Sequence, residues 1–411
     1  MDHLLQKQYF SEELLHWYER SKRDLPWRRS KNPYYIWVSE IMLQQTRVDT
    51  VIPYFQRFIE KFPTVAALAS APESEVLKAW EGLGYYSRAR NLQSAVREVH
   101  EQYNGVVPSD KSEISGLKGV GPYTAGAILS IAYNQPEPAV DGNVMRVLSR
   151  YFALEDDIAK ASTRVKIEHL AQELIPAGEA GAFNQALMEL GATICTPRAP
   201  HCLTCPVQVH CAGRLAGIAE SLPVKTKAKP PRLERRAVAL VVGSGAHAGQ
   251  LLIRQRPQDG LLARMWELPH AELPSAARSA SSAAEGEGLP ALDAAGDVAP
   301  AAAPARRALR RTARGGAPEE SHDSVMAFLQ EHLAAADGIG IVPMAWMLNA
   351  EHAFSHIHWD MLVYRCSFAA ASPSGEAPSS LPPHYRWLNL NEMEQYPFPN
   401  VFLRIISEYR L

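Results

Sequence analysis

Apolar residues recur at helical spacing through the first half of the chain and at strand spacing through the second. Phe10, Leu14, Trp17 and Tyr18 share one face of a helix over 4–20. A longer helix opens at Trp37 and runs to about Phe58, with Ile41, Leu43 and Val48 on its apolar side. Ser39 stands where a cap belongs, which puts Glu40 in the first turn, where the helix dipole favours a carboxylate. Residues 64–103 supply two more helices, joined by Trp80-Glu-Gly-Leu-Gly-Tyr-Tyr-Ser-Arg-Ala-Arg90. Gly82 and Gly84 end one of them, and Tyr85, Tyr86, Arg88 and Arg90 start the next. One of the two tyrosines is expected in the core. Further helices follow at 142–152, 162–174 and 181–193. No segment of this half alternates as a strand would.

The pattern changes after Ser221–Arg236, a basic linker punctuated by prolines. Ala237–Val242, Leu251–Arg254 and Ile357–Phe368 read as strands, the last alternating Ile357, Trp359, Met361 and Val363, and a helix covers Val401–Tyr409. This is a separate α+β domain over 237–411, behind an all-helical domain over 1–220. Between about 274 and 321 an Ala/Pro/Gly/Ser-rich run carries Arg306-Arg-Ala-Leu-Arg-Arg311. That composition cannot bury enough apolar surface to offset ordering, so a disordered insertion is expected.

The helical half centres on Leu117–Asn143. Asp110 and Glu113 have capping-box spacing for a short helix; Gly119 and Gly121 suit a tight turn with positive φ; Pro122 suits the first position of the next helix. The free amides of such a turn would hold a phosphate, although an ordinary helix–helix turn has the same signature. Between Arg20 and Lys31, six cations surround Leu25-Pro26-Trp27, with Asp24 the sole acid. This loop suits either solvent or insertion into a nucleic-acid groove.

At 411 residues there is room for two cores, and 46% apolar with 21% charged residues is ordinary for a soluble protein. A net charge of −2 excludes a uniformly basic coat protein but not a local basic face. No signal peptide or spanning segment is evident, so a cytosolic location is expected. Four of the five cysteines fall between Cys195 and Cys211 with spacing C-x6-C-x2-C-x5-C, which predicts metal or cluster ligation. Only Cys202 and Cys205 form a close pair, and four thiolates in one loop suit a four-iron cluster better than zinc. Cys366 reads as a buried bystander.

Ser-Glu-Ile-Met-Leu-Gln-Gln-Thr, Leu-Lys-Gly-Val-Gly-Pro-Tyr-Thr-Ala-Gly, Val-Asp-Gly-Asn-Val and the cysteine spacing, in that order, resemble the helix-hairpin-helix DNA glycosylases with a [4Fe–4S] cluster. The Met-Leu-Gln-Gln-Thr helix and the appended domain narrow the resemblance to the adenine DNA glycosylase (MutY) branch. It implies a monofunctional enzyme excising adenine paired with 8-oxoguanine or guanine in double-stranded DNA. Such an enzyme would be a monomer in the bacterial cytoplasm, associated with the nucleoid. Glu40 matches the acid and Asp141 the carboxylate that stabilises the sugar cation; Asn143 and Tyr123 match residues that position them. Gln45, Tyr85 and Leu25 match wedge positions, and Arg23, Trp27, Arg28 and Gln185 match the adenine pocket. Cys195, Cys202, Cys205 and Cys211 match the cluster ligands, with Arg198 and His201 beside them as candidates for the DNA backbone.

The second domain resembles the Nudix fold. It lacks the Arg-Glu-x-x-Glu-Glu helix that would hold magnesium, so the resemblance implies a reader of 8-oxoguanine, through Phe354-Ser355-His356, without hydrolase activity. Two alternatives stand beside this reading: an endonuclease III-like glycosylase/lyase for oxidised pyrimidines, and a non-catalytic DNA-binding module. The lyase branch carries its Schiff-base lysine where Tyr123 stands; Lys118, inside the hairpin, reads as a phosphate contact.

Overall fold

The computed structural model describes residues 3–227, 229–274, 321–369 and 381–410. Apart from its two ends, the insertion expected over 274–321 lies outside them. The chain forms two compact units. One takes the chain up to Val76 and from Ser87 to the linker; the other takes Leu77–Tyr86 and the chain after Lys229.

Helices follow in the order α1 (His3–Ser21), α2 (Pro33–Leu43), α3 (Val48–Lys61), α4 (Val65–Ser70), α5 (Glu73–Ala79), α6 (Ser87–Gln102), α7 (Lys111–Gly116), α8 (Pro122–Tyr133), α9 (Gly142–Tyr151), α10 (Ala161–Leu174), α11 (Ala180–Thr193) and the short α12 (Ala212–Leu215). Some of their starts are set by capping side chains. Asn32 accepts from Tyr34 N before Pro33, Thr64 from Ala67 N, and Asp110 from Ser112 N and Glu113 N. In the core of this unit Phe10, Leu14 and Tyr18 of α1 pack with Val144 and Leu148 of α9 and Phe183, Leu187 and Leu190 of α11.

The helix expected from Trp37 to Phe58 is two helices. It begins earlier, at Pro33, and breaks at Gln44–Arg47, where Gln45 takes a φ of 59°. Ser39 is therefore not a cap: its hydroxyl donates to Ile36 O, 2.8 Å away, and Glu40 lies in the last turn instead of the first. The region 64–103 holds three helices, because Pro72 follows Ala71, the C-cap of α4, and restarts the chain as α5. At the hairpin only Gly119 is left-handed (φ 78°). Gly121 is the extended N-cap of α8 (φ −89°, ψ 178°), a conformation open to any residue.

The second unit is a mixed sheet of β1 (Arg232–Val242), β2 (Leu251–Gln255), β3 (Trp266–Glu267), β4 (His270–Glu272), β5 (Ile341–Ala353), β6 (Ile357–Phe368) and β7 (Tyr385–Leu388). Its main path runs β3-β2-β1-β6-β5, with β4 paired to β1 and β7 to β2. β1 and β6 run parallel in unbroken register from Arg232↔Ile357 to Val242↔Ser367, so β1 begins five residues inside the expected linker. Helix α13 (His322–Asp337) covers one face through Val325, Leu329 and Leu333, and α14 (Asn400–Arg410) the other through Val401, Phe402 and Ile405. Alternation in β1 serves both, Ala237, Ala239 and Val241 facing α13 while Val238 and Leu240 face α14. Cys366 is buried as expected. No helix among the described residues is long and apolar enough to cross a membrane.

Candidate active site and cysteine loop

Three elements bring the carboxylates together. Glu40 lies in the last turn of α2, buried at 5% exposure. Tyr123 is the second residue of α8, directly after the hairpin, and its hydroxyl donates to Glu40 Oε2 while lying 3.5 Å from Met188 Sδ. Asp141 is the N-cap of α9: Oδ1 accepts from Val144 N at 2.8 Å and Oδ2 from Asn143 Nδ2 at 2.7 Å.

Burial pushes the Glu40 carboxyl up to about 7; the Tyr123 hydroxyl and Arg28 oppose this, while the neighbouring Asp141 adds to it. Burial also raises Asp141, against donation from Val144 and Asn143 and the charge of Arg146. Tyr123 is held well above its ordinary value by burial and by both carboxylates, so it remains a donor. A carboxyl half-protonated near neutrality beside one held by backbone and amide donors can deliver a proton while its neighbour carries charge.

The basic loop is organised by an acid the sequence reading passed over. Glu189 of α11, its side chain 1% exposed, receives Arg23 at both oxygens (2.7 Å each) and Arg28 Nη2 at 2.9 Å. Burial raises Glu189, but the two guanidiniums outweigh it and hold the carboxyl at about 2. Arg28 also stacks over Tyr18, 5.5 Å from the ring centre, and Trp27 meets Phe55 edge-on at 5.5 Å. Leu25 is 4% exposed, directly before the turn at Pro26–Arg28. Gln185 Nε2 bonds back to Gly181 O at 3.1 Å.

Gln45 does project, exposed on its left-handed backbone, and Lys118, Arg198 and His201 are exposed as well. Tyr85 (φ 49°) is 39% exposed and Tyr86 5%, so Tyr86 is the core tyrosine of the pair. Phe354, Ser355 and His356 belong to the second unit, at the β5–β6 turn. Phe354 packs edge-on against Trp359, and Ser355 Oγ lies 3.1 Å from His356 Nδ1.

Cys195, Cys202, Cys205 and Cys211 are free thiols lining one cavity of about 30 Å³, together with Arg150, His201 and Arg214. Arg150, fully buried, approaches Cys195 Sγ at 3.3 Å and donates to Thr196 O at 2.7 Å and Leu222 O at 2.9 Å. Among the described residues no three His, Cys, Asp or Glu side chains converge on a point as a single metal ion requires. The four thiols share one cavity, a donor set of the kind thiolate-bound metal centres use.

Arg146 was also missed. It donates to Asn143 Oδ1 (2.8 Å), Gly191 O (2.8 Å) and Cys195 O (2.8 Å), tying the Asp141 clamp to the cysteine loop. Its three-residue offset from Asn143 on one helix face was a readable signal. So was Glu189, an acid inside Ala186-Leu187-Met188-Glu189-Leu190.

The family described as HhH-GPD superfamily base excision DNA repair protein matches residues 38–177, and a NUDIX domain matches 315–408. The adenine DNA glycosylase of Rattus norvegicus is 34% identical over 97% of this chain and 78% of its own length. That of Homo sapiens is 41% identical over 63% of this chain and 57% of its own. Among solved structures, a thermostable thymine-DNA glycosylase is 30% identical, with a TM-score of 0.48 over 52% of this chain and 98% of its own. With the identity to the rat enzyme sustained over 97% of this chain, the chain belongs to the adenine DNA glycosylases, enzymes of base excision repair.

Proposed function

We propose that the enzyme excises adenine opposite 8-oxoguanine, and opposite guanine, by monofunctional hydrolysis with Glu40 as acid and Asp141 as counter-charge. The observation that carries this reading is the buried Glu40 carboxyl, raised to about 7 and bonded to Tyr123 beside Asp141. The adenine leaves the base stack for a pocket of Arg23, Trp27, Arg28 and Gln185, with Gln45 and Tyr85 filling the duplex behind it. Leu25, buried before the Pro26–Arg28 turn in the free chain, is the third wedge position. Glu40 protonates the imidazole-ring nitrogen of adenine. The C1′–N9 bond breaks with its electron pair leaving on the base, and Asp141, oriented by Asn143, faces the cationic sugar. Glu40, now a carboxylate, takes a proton from the water that adds to C1′, leaving an abasic site.

No amine stands at the hairpin position that Tyr123 occupies, which favours water over a Schiff base. The Gly119 turn and the Gly121 amide end of α8 suit a DNA phosphate, and the exposed Lys118 beside them adds charge.

Cys195, Cys202, Cys205 and Cys211 would hold a [4Fe–4S] cluster, which when bound supplies four iron–thiolate bonds that brace the loop carrying Arg198 and His201. The catalytic domain spans 1–220 and the linker 221–231, since β1 already starts at Arg232, and the Nudix-like domain after it reads 8-oxoguanine through Phe354, Ser355 and His356. The working form is a monomer.

The test is single-turnover excision on labelled duplexes with alkaline cleavage. Adenine-strand breaks at both mispairs, no borohydride-trapped adduct, and binding without excision by Glu40→Gln are expected. An active Glu40→Gln enzyme would remove Glu40 as the acid. Brown protein containing iron and acid-labile sulfide is the expected sign of the cluster; zinc in its place would refute it.

A further inference from the structure

The helix that carries Glu40 ends without any of the usual caps. No glycine follows α2, its C-cap Gln44 takes ψ 114°, and the next residue, Gln45, is left-handed without being glycine. One backbone bond, Thr46 N to Leu43 O at 3.2 Å, closes the turn. The carbonyls left over are taken by a side chain from another helix. Arg88 Nη1 donates to Ile41 O at 2.8 Å, to Met42 O at 3.3 Å and to Gln44 O.

Arg88 is the second residue of α6, where the dipole of its own helix disfavours a cation. The negative end of α2 supplies the compensation. From the opposite side Gln44 Nε2 reaches Thr124 Oγ1 at 3.3 Å, and Thr124 directly follows Tyr123, the partner of Glu40. Two adjacent residues of α8 and one arginine of α6 therefore fix the last turn of α2 and the break after it.

We infer that Arg88 is a positioning residue: by capping α2 it holds Glu40 at its working depth and Gln45 in its projecting conformation. The inference rests on the reading of Glu40 as the acid. Glu40 is faced by Tyr123 of α8, Asp141 at the start of α9 and Arg28 of the basic turn. Loss of the cap frays the last turn back through Met42 and Ile41, and water then reaches the carboxyl.

Wild type, Glu40→Gln, Arg88→Met and Arg88→Lys are compared in single-turnover excision across pH, with active-site titration of each. Arg88→Met should lower the rate constant on the order of 10- to 100-fold. Its alkaline limb should move toward acid by about half a pH unit or more as Glu40 becomes hydrated. Arg88→Lys, which retains one donor to the carbonyls, should fall between. If Arg88→Met does not fold, Arg88→Lys carries the same two readings. A reduced active fraction with unchanged rate constant and limb would make Arg88 merely structural and overturn the inference. Excision by Glu40→Gln would instead overturn the underlying reading.

Discussion

Each unit of this enzyme buries a glutamate, and the two are treated in opposite ways. Glu40 receives a single hydrogen bond from a neutral hydroxyl, and burial pushes its carboxyl up to about 7. Glu267, 1% exposed on β3, is equally desolvated but receives Arg254 Nη2, Arg256 Nη1 (2.8 Å each) and His270 Nε2 (2.9 Å). Its carboxyl is held far below the usual range: burial works against this, and His270, Arg254 and Arg256 overcome it. Burial alone does not make a carboxyl reactive; the number and charge of its donors decide. Glu189 makes the same point inside the helical unit, where two arginines keep it ionised.

The widest separation between the two glutamates should appear on substitution. Glu40→Gln should lower excision by about 10²–10⁴-fold, the usual worth of a general acid. It should also leave the fold intact or steadier above pH 7, since a costly buried charge is gone. Glu267→Gln should do the reverse. Two guanidiniums lose the carboxylate they share, Arg254 keeping Asp337, and thermal unfolding should show a loss of about 3–5 kcal/mol in the second unit. Equal losses of stability in both variants would break the comparison.

Stability against pH should separate them too. Because Glu40 binds its proton more tightly when folded, its contribution is full below pH 4.5 and lost as pH rises to about 7. Glu267, depressed, contributes above its ordinary range and loses that contribution only as pH falls below it. Denaturant midpoints for the two Gln variants against wild type would reveal the opposite slopes, that of Glu40 between pH 4.5 and about 7 and that of Glu267 below pH 4.5.

Gly191→Ala addresses the Asp141 side. An added Cβ would stand 2.6 Å from Asn143 Cβ and 3.0 Å from its carbonyl oxygen, so the clamp must shift. Single-turnover excision should drop about tenfold with duplex binding kept. The smallest effect is expected of Tyr123→Phe. Without the hydroxyl that lowers it, Glu40 should titrate higher, and the alkaline limb should move to higher pH. A limb moving the other way would remove Tyr123 as its donor.

Much of this architecture was readable where a period was clean. The strand Ile357–Phe368 appears with the bounds its alternation gave. Its neighbour β5 was not foreseen, because register shifts at Pro343/Ala345 and Trp346/Leu348 scramble the alternation and leave Val342 and Met344 exposed. The break between α2 and α3 was equally hidden. Nothing in Gln44-Gln45-Thr46-Arg47 is a helix breaker, and the cap that ends α2 comes from Arg88, more than forty residues away. At the site, the roles proposed for Glu40 and Asp141 came through family likeness. The Arg23–Arg28–Glu189 cluster did not, since its partners meet only in the folded chain.

The parallel pairing of β1 with β6 has a consequence for synthesis. Arg232 must wait for Ile357, 125 residues later, before its half of the sheet can close, whereas the helices up to Leu215 are already complete. Long-range parallel pairing forms slowly, and an unpaired Ala237-Val-Ala-Leu-Val-Val242 is the kind of segment that seeks a wrong partner meanwhile. The charges directly before it, Arg232, Glu234, Arg235 and Arg236, act as gatekeepers on the nascent strand. Neutralising Arg232 and Arg235, the two most exposed, is expected to reduce soluble yield on expression without changing the rate of the protein that does fold.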